Sequence, residues 1–317
     1  MKVGTKVGTR PLAVGVSLAL GTALISGVAV FLNSQAVRQF PDATLFTTLK
    51  NGVAAVVLLA AAAAVGGLPR GLGSRRWLGL LTLGLVGGSI PFVLFFNGLA
   101  EASAPAAAVI HKTLFIWVAL LAVVLLRERP GAWALGALGV LLVAQLLIQP
   151  PSGVSWGGGE SLIALATGFW AIETILARRL LPSVPALTAG AARMGFGLII
   201  LVGYLAFSDR LGLVTTLGAA QWAWVLGTGL LLAGYVATWY AALKRAPATV
   251  VTAVLTLGAP ITALLQAATS GSLPAPLPLT GQLVILVAAG GLAAWFLRGA
   301  GLRVHPAGSI NGDQSGA

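Results

Sequence analysis

Ten nearly unbroken apolar stretches follow one another along the chain, at residues 11–33, 44–65, 77–99, 104–126, 131–149, 159–177, 186–207, 220–243, 247–268 and 279–297. A helix needs about 20 apolar residues to cross a bilayer, and so many segments of that length cannot be hidden inside one water-soluble core. Charged residues make up 8% of the 317 and apolar residues 58%, whereas soluble chains carry roughly a quarter charged. The mean hydropathy of +0.97 leaves no polar surface for a separate soluble domain. Membrane strands would alternate apolar and polar over about ten residues, and these segments do not. The expected fold is an all-α polytopic membrane protein of ten transmembrane helices, numbered here as spans 1 to 10.

A net charge of +12 would suggest nucleic acid as the partner of a soluble protein. In a membrane protein it is tested instead by where the cations fall, because cytoplasmic loops collect Lys and Arg. With the N-terminus inside, the inner segments hold Lys2, Lys6, Arg10, Arg70, Arg75, Arg76, Arg127, Arg129, Arg178, Arg179, Lys244, Arg245, Arg298 and Arg303. The outer loops hold only Arg38 and Arg210. One missed span would scramble this alternation, so the bias supports the span count and places both termini in the cytoplasm of a cell inner (plasma) membrane protein. Residues 1 to 36 share a basic start and an apolar run with signal peptides, but the run is longer than a usual h-region. The tail Pro306 to Ala317 is polar and small, which predicts disorder. With no cysteine, disulfides, thiolate nucleophiles and Cys-bound metals are excluded.

The chain also repeats itself. Lys50 and Arg193, Trp77 and Trp222, and the junctions Leu99–Ala104 and Leu243–Ala248 recur at a common offset of about 144 residues. The expected organisation is a cytoplasmic segment 1–10, a first five-helix repeat over 11–149, an outer linker 150–158, a second repeat over 159–297 and a tail 298–317. Five helices per repeat is an odd number, so the second copy enters the membrane from the opposite side. Inverted halves related by an axis in the membrane plane can expose a central site to either face in turn.

The paired cations of spans 2 and 7, the span 4 ending Leu126-Arg127-Glu128-Arg129 and the span 8 ending Trp239-Tyr240-Ala241-Ala242-Leu243-Lys244-Arg245 resemble EamA-type members of the drug/metabolite transporter superfamily. The resemblance covers roughly residues 11 to 297. It implies a secondary transporter, often an exporter, of a small organic metabolite such as an amino acid, an organic anion or a drug-like solute. The chain departs from the pattern in two places. Phe115-Ile116 stands where span 4 commonly has proline, and Thr269 to Pro278 lacks an acid to match Glu128.

An ionisable group inside a span costs at least about 2.5 kcal/mol on insertion scales, so each marks a candidate site. At 1.5 Å per residue, Lys112 lies roughly 12 Å into span 4, Arg193 roughly 10 Å into span 7 and Lys50 roughly 9 Å into span 2. Lys50 and Arg193 are close enough to an interface to snorkel; Lys112 is not. The spacing of Ala104, Ala108, Lys112, Ala119 and Ala122 predicts that Lys112 faces the bundle interior, with His111 beside it as either a titrating or a packing group. Glu173 is the carboxylate set inside a span. It has Trp170 three residues earlier on the same face, and either it pairs with Arg178 and Arg179 at the interface or it belongs to a substrate or proton site. The expected substrate-binding set is therefore Lys112, His111, Glu173, Trp170, Lys50 and Arg193.

Pro91 and Pro260 fall near mid-span and deprive the carbonyls of Gly87 and Thr256 of their helical donors, which makes them candidate hinges or gates. Gly84-x-x-x-Gly88 beside Pro91 reads as a close helix contact. Gly153-Val-Ser155-Trp-Gly157 matches a nucleophile-elbow pattern, but it lies between helices instead of on a strand-to-helix turn, so no catalytic role is expected. No nucleotide or metal motif appears, so cofactors and metals are expected to be none. Expected partners are a small-molecule solute and the lipid bilayer, with a homodimer left open and no role for nucleic acid. A membrane-embedded enzyme acting on lipids and a passive channel are the alternatives. The first would require clustered acids, histidines or a metal set in the spans, and the second has no need of inverted halves.

Overall fold

The computed structural model describes residues 9–67, 71–102, 104–148 and 156–298. Lys2, Lys6, Arg70 and Arg303, the tail from Pro306, and Gly153 to Ser155 of the serine motif lie outside the described residues. Eight helical runs are long and apolar enough to cross a membrane: Pro11–Gln39, Ala43–Ala64, Ser74–Glu101, Gly158–Leu180, Ala186–Phe207, Ala219–Arg245, Ala248–Ser270 and Pro276–Leu297. Two shorter apolar helical runs, Ile110–Leu125 and Ala132–Ile148, complete the bundle. No strand occurs among the described residues.

Three of these runs are interrupted, and the interruptions have identifiable causes. In chain order the α-helices are α1 (Thr9–Ala36), α2 (Ala43–Ala64), α3 (Ser74–Leu83), α4 (Ile90–Glu101), α5 (Ala104–Lys112), α6 (Leu114–Leu125), α7 (Ala132–Ile148), α8 (Gly158–Leu180), α9 (Ala186–Phe207), α10 (Ala219–Arg245), α11 (Ala248–Leu255), α12 (Gly258–Ser270) and α13 (Pro276–Leu297). A six-residue π-helical segment, Gly84–Ser89, joins α3 to α4 just before Pro91. The expectation of one unbroken helix over 104–126 is corrected, because span 4 divides at Thr113 without a proline. The Thr113 N–H and hydroxyl both turn back to the Ile110 carbonyl, at 3.1 and 2.7 Å. Thr256 divides span 9 in the same way, with its N–H and hydroxyl on the Ala253 carbonyl at 3.2 and 2.7 Å. A threonine that bonds its own preceding turn competes with the helical ladder. These two do so at the offset of the internal repeat.

The packing follows the repeat as well. The first helix of the first half, α1, lies against α10, α11 and α12, the eighth and ninth spans. The first helix of the second half, α8, lies against α4, α5 and α6, the third and fourth. The second and seventh spans, α2 and α9, pack on each other, as do the fifth and tenth, α7 and α13. Exchanging the halves maps each of these pairings onto another or onto itself. Because α1 is wedged among the second-half helices, it is an integral part of the bundle.

Lipid supplies no hydrophobic drive between helices, so close approach depends on small residues. A Cβ on Gly84 would sit 2.4 Å from Phe196 Cβ, and one on Gly88 would sit 2.0 Å from the Arg193 carbonyl oxygen. Gly197 on α9 meets Gly88 in return, its own Cβ position falling 2.4 Å from the Gly88 carbonyl. The expected glycine contact is therefore the seam between the π segment and α9, and it fixes the backbone around Arg193.

The helix ends carry polar ties within and between the halves. One end of the bundle bears Arg127, Arg129, Arg178, Arg179, Lys244 and Arg245 and is called the basic end below. There Arg178 donates to the Leu243 carbonyl (2.6 Å) and Arg179 to the Leu125 carbonyl (2.7 Å), cations placed at the negative ends of helices. Glu128 accepts from the N–H groups of Ala248 (2.8 Å) and Thr249 (3.2 Å) and from the Thr249 hydroxyl (2.9 Å), capping α11 of the other half. At the opposite end Asp42 caps α2 through the Leu45 N–H (2.7 Å) and pairs with Arg210 at 2.9 Å.

Candidate functional site

A cavity of about 130 Å³ lies between the halves. The first half contributes Asn33 from α1, Lys50 from α2, Phe92, Phe95 and Phe96 from α4, and His111 from α5. The second contributes Trp170 and Glu173 from α8, Arg193 from α9, and Thr228, Tyr235 and Trp239 from α10. Breaks in spans 3 and 4 set two of these walls: Pro91 opens α4, which carries the three phenylalanines, and Thr113 follows α5, which ends in His111 and Lys112.

At one side of the cavity Lys50 is 2% exposed. Its ammonium donates to Asn33 Oδ1 at 3.2 Å and stands 4.3 Å from the ring centre of Phe96, 5.4 Å from Phe46 and 5.8 Å from Phe92. The snorkelling alternative for Lys50 is overturned: the side chain turns into an aromatic cage, where ring faces attract the cation, with no carboxylate beside it among the described residues.

Arg193 is also buried, and snorkelling is overturned there too. Its Nε is 3.9 Å from Glu173 Oε1 and its guanidinium lies 5.8 Å from the Phe92 ring. At 3.9 Å the carboxylate acts through charge and not through a hydrogen bond, and Nε and Nη1 have no hydrogen-bond partner. The Tyr240 hydroxyl donates to Glu173 Oε1. The interfacial pairing of Glu173 with Arg178 and Arg179 is therefore corrected, because both arginines serve helix-end carbonyls and the carboxylate turns to Arg193 and Tyr240.

His111 and Trp170 form the lateral wall. The His111 ring lies 5.0 Å from Trp170 and 5.1 Å from Phe95, and its Nδ1 has no partner. Trp170 in turn donates its indole N–H to the Gly87 carbonyl at 3.2 Å, the oxygen that Pro91 cannot serve. Asn51 reaches the next carbonyl, that of Gly88, at 3.4 Å. At the second proline the Thr256 carbonyl accepts from the Ala259 N–H at 2.9 Å, so that break is satisfied within its own turn. Neither Pro91 nor Pro260 lines the cavity.

Lys112 is buried, as its depth predicts, but beside the cavity. It lines a pocket of about 10 Å³ with Phe115, Thr252, Leu255 and Thr256 that shares His111 and Leu114 with the central cavity, and no acid pairs with it among the described residues. The turn at Thr113 removes the helical phase that was to align Lys112 with Ala119 and Ala122, and its charge sits at the C-terminal end of α5, where the helix dipole favours a cation. Asn33, the three phenylalanines and Tyr235 were not singled out from the sequence, and Trp239 and Tyr240 entered only through the span 8 ending, not as site residues. Phe92-x-x-Phe95-Phe96 directly after Pro91, and Tyr235 with Trp239 one turn apart, are the signals that would have found them.

Comparison with known proteins bears on fold and family. One solved structure, described only as the crystal structure of a protein, superposes with a TM-score of 0.69 over 91% of this chain and 98% of its own, at 17% identity. That likeness concerns the fold alone. No curated protein sequence matches the chain. The EamA-like transporter family model matches twice, over residues 13–149 and 157–294, so that each half of the cavity comes from one match. Two matched repeats covering most of its length show that this membrane protein belongs to the EamA-like transporter family.

Proposed function

We propose that the protein is a ten-span secondary transporter that moves a small organic solute bearing an anionic group by alternating access. The observation that carries this reading is a cavity built by both repeats, in which Lys50, Arg193 and Glu173 are buried together. With His111 neutral these groups sum to a single positive charge, and Lys50 has no carboxylate of its own. A low-dielectric cavity with one uncompensated cation favours a monoanionic guest. The unpartnered Nε and Nη1 of Arg193 leave charge-assisted donors for an anionic group, while the phenylalanines, Trp170 and Trp239 receive an apolar body.

The repeats are taken as 11–149 and 159–297, inverted in the membrane, with the linker 150–158 outside and the segments 1–10 and 298–317 in the cytoplasm of an inner-membrane protein. The two family matches and the exchange symmetry of the packing support the division, and the distribution of Lys and Arg supports the orientation. Export is the direction implied by the family resemblance. The basic end is closed between the halves by Glu128 on α11 and by Arg179 on the end of α6. Opening there separates Glu128 from its three donors, while Thr113 and Thr256 provide matched points of flexure in the two halves.

A metabolite library screened by thermal unfolding identifies the solute, since a ligand of the native state raises its melting temperature. Proteoliposomes should then move that solute down a solute or ion gradient without ATP. Strict ATP dependence, or preference for cationic solutes, would overturn the reading. Cysteines introduced at Ser155, Gly218 and Ser272 should react with an impermeant reagent from outside, and those at Ser74, Ser183 and Ser309 should not. Labelling of both sets from one side would remove the ten-span topology.

A further inference from the structure

At the basic end, away from the central cavity, three arginines converge on a cleft between α3 and α8. The cleft has a volume of about 500 Å³ and a polar mouth formed by Arg75, Arg76, Arg179 and Ser183. Less than one turn below the mouth Leu78 and Leu176 make apolar facing walls, with Gly79 beside them and Thr82 deeper.

The charges at the mouth are unbalanced. Arg75 and Arg76 occupy the first turn of α3, where no acidic residue stands and where the helix dipole is itself positive. Both are exposed, and neither takes part in either ion pair found among the described residues. Arg179 is fixed in place by its bond to the Leu125 carbonyl, which holds a third cation at the mouth. Like charges gathered without a counter-ion repel one another, and an anion at the mouth relieves the repulsion. The cleft lies where two membrane helices meet the interface; Leu78, 64% exposed, lines it, and Trp77, 42% exposed, stands at the same level on the α9 side of α3. An indole and a leucine at one depth mark the level at which phosphate gives way to acyl chain.

We infer that the cleft between α3 and α8 is a binding site for one anionic phospholipid, its phosphate held by Arg75, Arg76 and Arg179 and the start of one acyl chain lying along Leu78 and Leu176. A basic pocket between membrane helices above apolar walls has the chemistry to hold a lipid headgroup. A zwitterionic lipid leaves the excess positive charge in place, and a free phosphate leaves the apolar walls uncovered. The site is independent of the solute cavity and does not rest on the transport proposal.

The test uses the purified full-length protein in zwitterionic micelles, titrated with phosphatidylglycerol, phosphatidylcholine or inorganic phosphate. Bound lipid is counted by native mass spectrometry, and the thermal midpoint is followed in parallel. Wild type should hold one phosphatidylglycerol with at least tenfold preference over phosphatidylcholine. The Arg75→Gln/Arg76→Gln variant should lose most of that preference. Its side chains are exposed, and an unchanged midpoint in micelles without phosphatidylglycerol verifies the fold. Arg127→Gln/Arg129→Gln removes the same charge from the same end of the bundle and should leave binding unchanged. Equal losses in the two variants would reduce the effect to general surface charge and overturn the site. Saturation by inorganic phosphate at the concentration effective for the lipid would reassign it to a soluble anion. Absence of any preference over phosphatidylcholine would also overturn it.

Discussion

The indole N–H of Trp170 on α8 donates to the carbonyl of Gly87 in the π segment, at 3.2 Å. Pro91 has no N–H to offer that oxygen, so a donor comes from the other half of the molecule, and the same indole forms a wall of the cavity. Trp170→Phe should keep the ring contacts with Phe92, Phe95 and His111 but lose the donor. We expect a loss of about 1 kcal/mol, the usual size of such a bond, read as a lower thermal midpoint with the fold retained. An unchanged midpoint would mean that water takes over the donor's place.

Glu173 and Arg193 make a buried pair in which neither partner is exposed by more than 5%. Glu173→Gln keeps an acceptor for the Tyr240 hydroxyl and removes the charge facing the guanidinium. Stranding one member of a buried pair typically costs about 3–5 kcal/mol. Adding Arg193→Met should recover most of the stability but none of the transport. Full recovery of both would take the pair out of the proposed site.

Lys50 and Lys112 separate depth from position. Lys50→Met should abolish uptake of an anionic solute at near-normal expression, because it removes the one cavity cation without a carboxylate. Lys112→Met, beside the cavity but not on it, should leave more than half of the rate. The reverse ranking in proteoliposomes would move the site to the pocket under Thr256.

Gly88→Ala adds one methyl group against the Arg193 carbonyl oxygen, 2.0 Å from the ideal Cβ position. Overpacking of this kind costs typically about 1–3 kcal/mol, and here both neighbours are backbone. A reduced folded yield with loss of transport is expected, whereas Gly136→Ala, which meets no atom within 4 Å, should behave as wild type.

Glu128→Ala removes three hydrogen bonds from the start of α11, at a cost of about 1–2 kcal/mol by analogy with other caps. The basic end should open more often. A cysteine placed at Thr174, which lines the cavity, should then label several-fold faster from that side than in the parent. Equal labelling rates would show that the cap does not restrain access.

Much of this architecture is legible in the sequence, for definite physical reasons. A bilayer dictates the length of each crossing, so continuous apolar stretches announce themselves, and the rarity of charge makes Lys50, Glu173 and Arg193 conspicuous. The break at Thr113 was hidden because it depends on a threonine hydroxyl satisfying its own preceding turn, with no proline to signal it. The burial of Lys112 was legible from its depth, but whether it lines the central cavity or the small pocket that shares His111 with it depends on the helical phase, which the break at Thr113 resets. The aromatic cage around Lys50 was silent for another reason. Phenylalanine in an apolar span offers no contrast, and only the fold brings Phe46 of α2 beside Phe92 and Phe96 of α4.

The π-helical segment Gly84–Ser89 has a consequence for how the gene can vary. A π turn holds about one residue more than an α turn, and deleting a residue there would let α3 run into α4 as a regular helix. The α turn would close the same rotation with one residue fewer, so α4 would keep its face and Phe92 and Phe96 would still line the cavity. Loops usually absorb insertions and deletions at little cost. In this span the π turn takes the place of a loop: a codon lost there leaves the phenylalanines aimed, whereas one lost between Pro91 and Phe95 of the regular helix would turn Phe95 and Phe96 by about 100° relative to the start of α4.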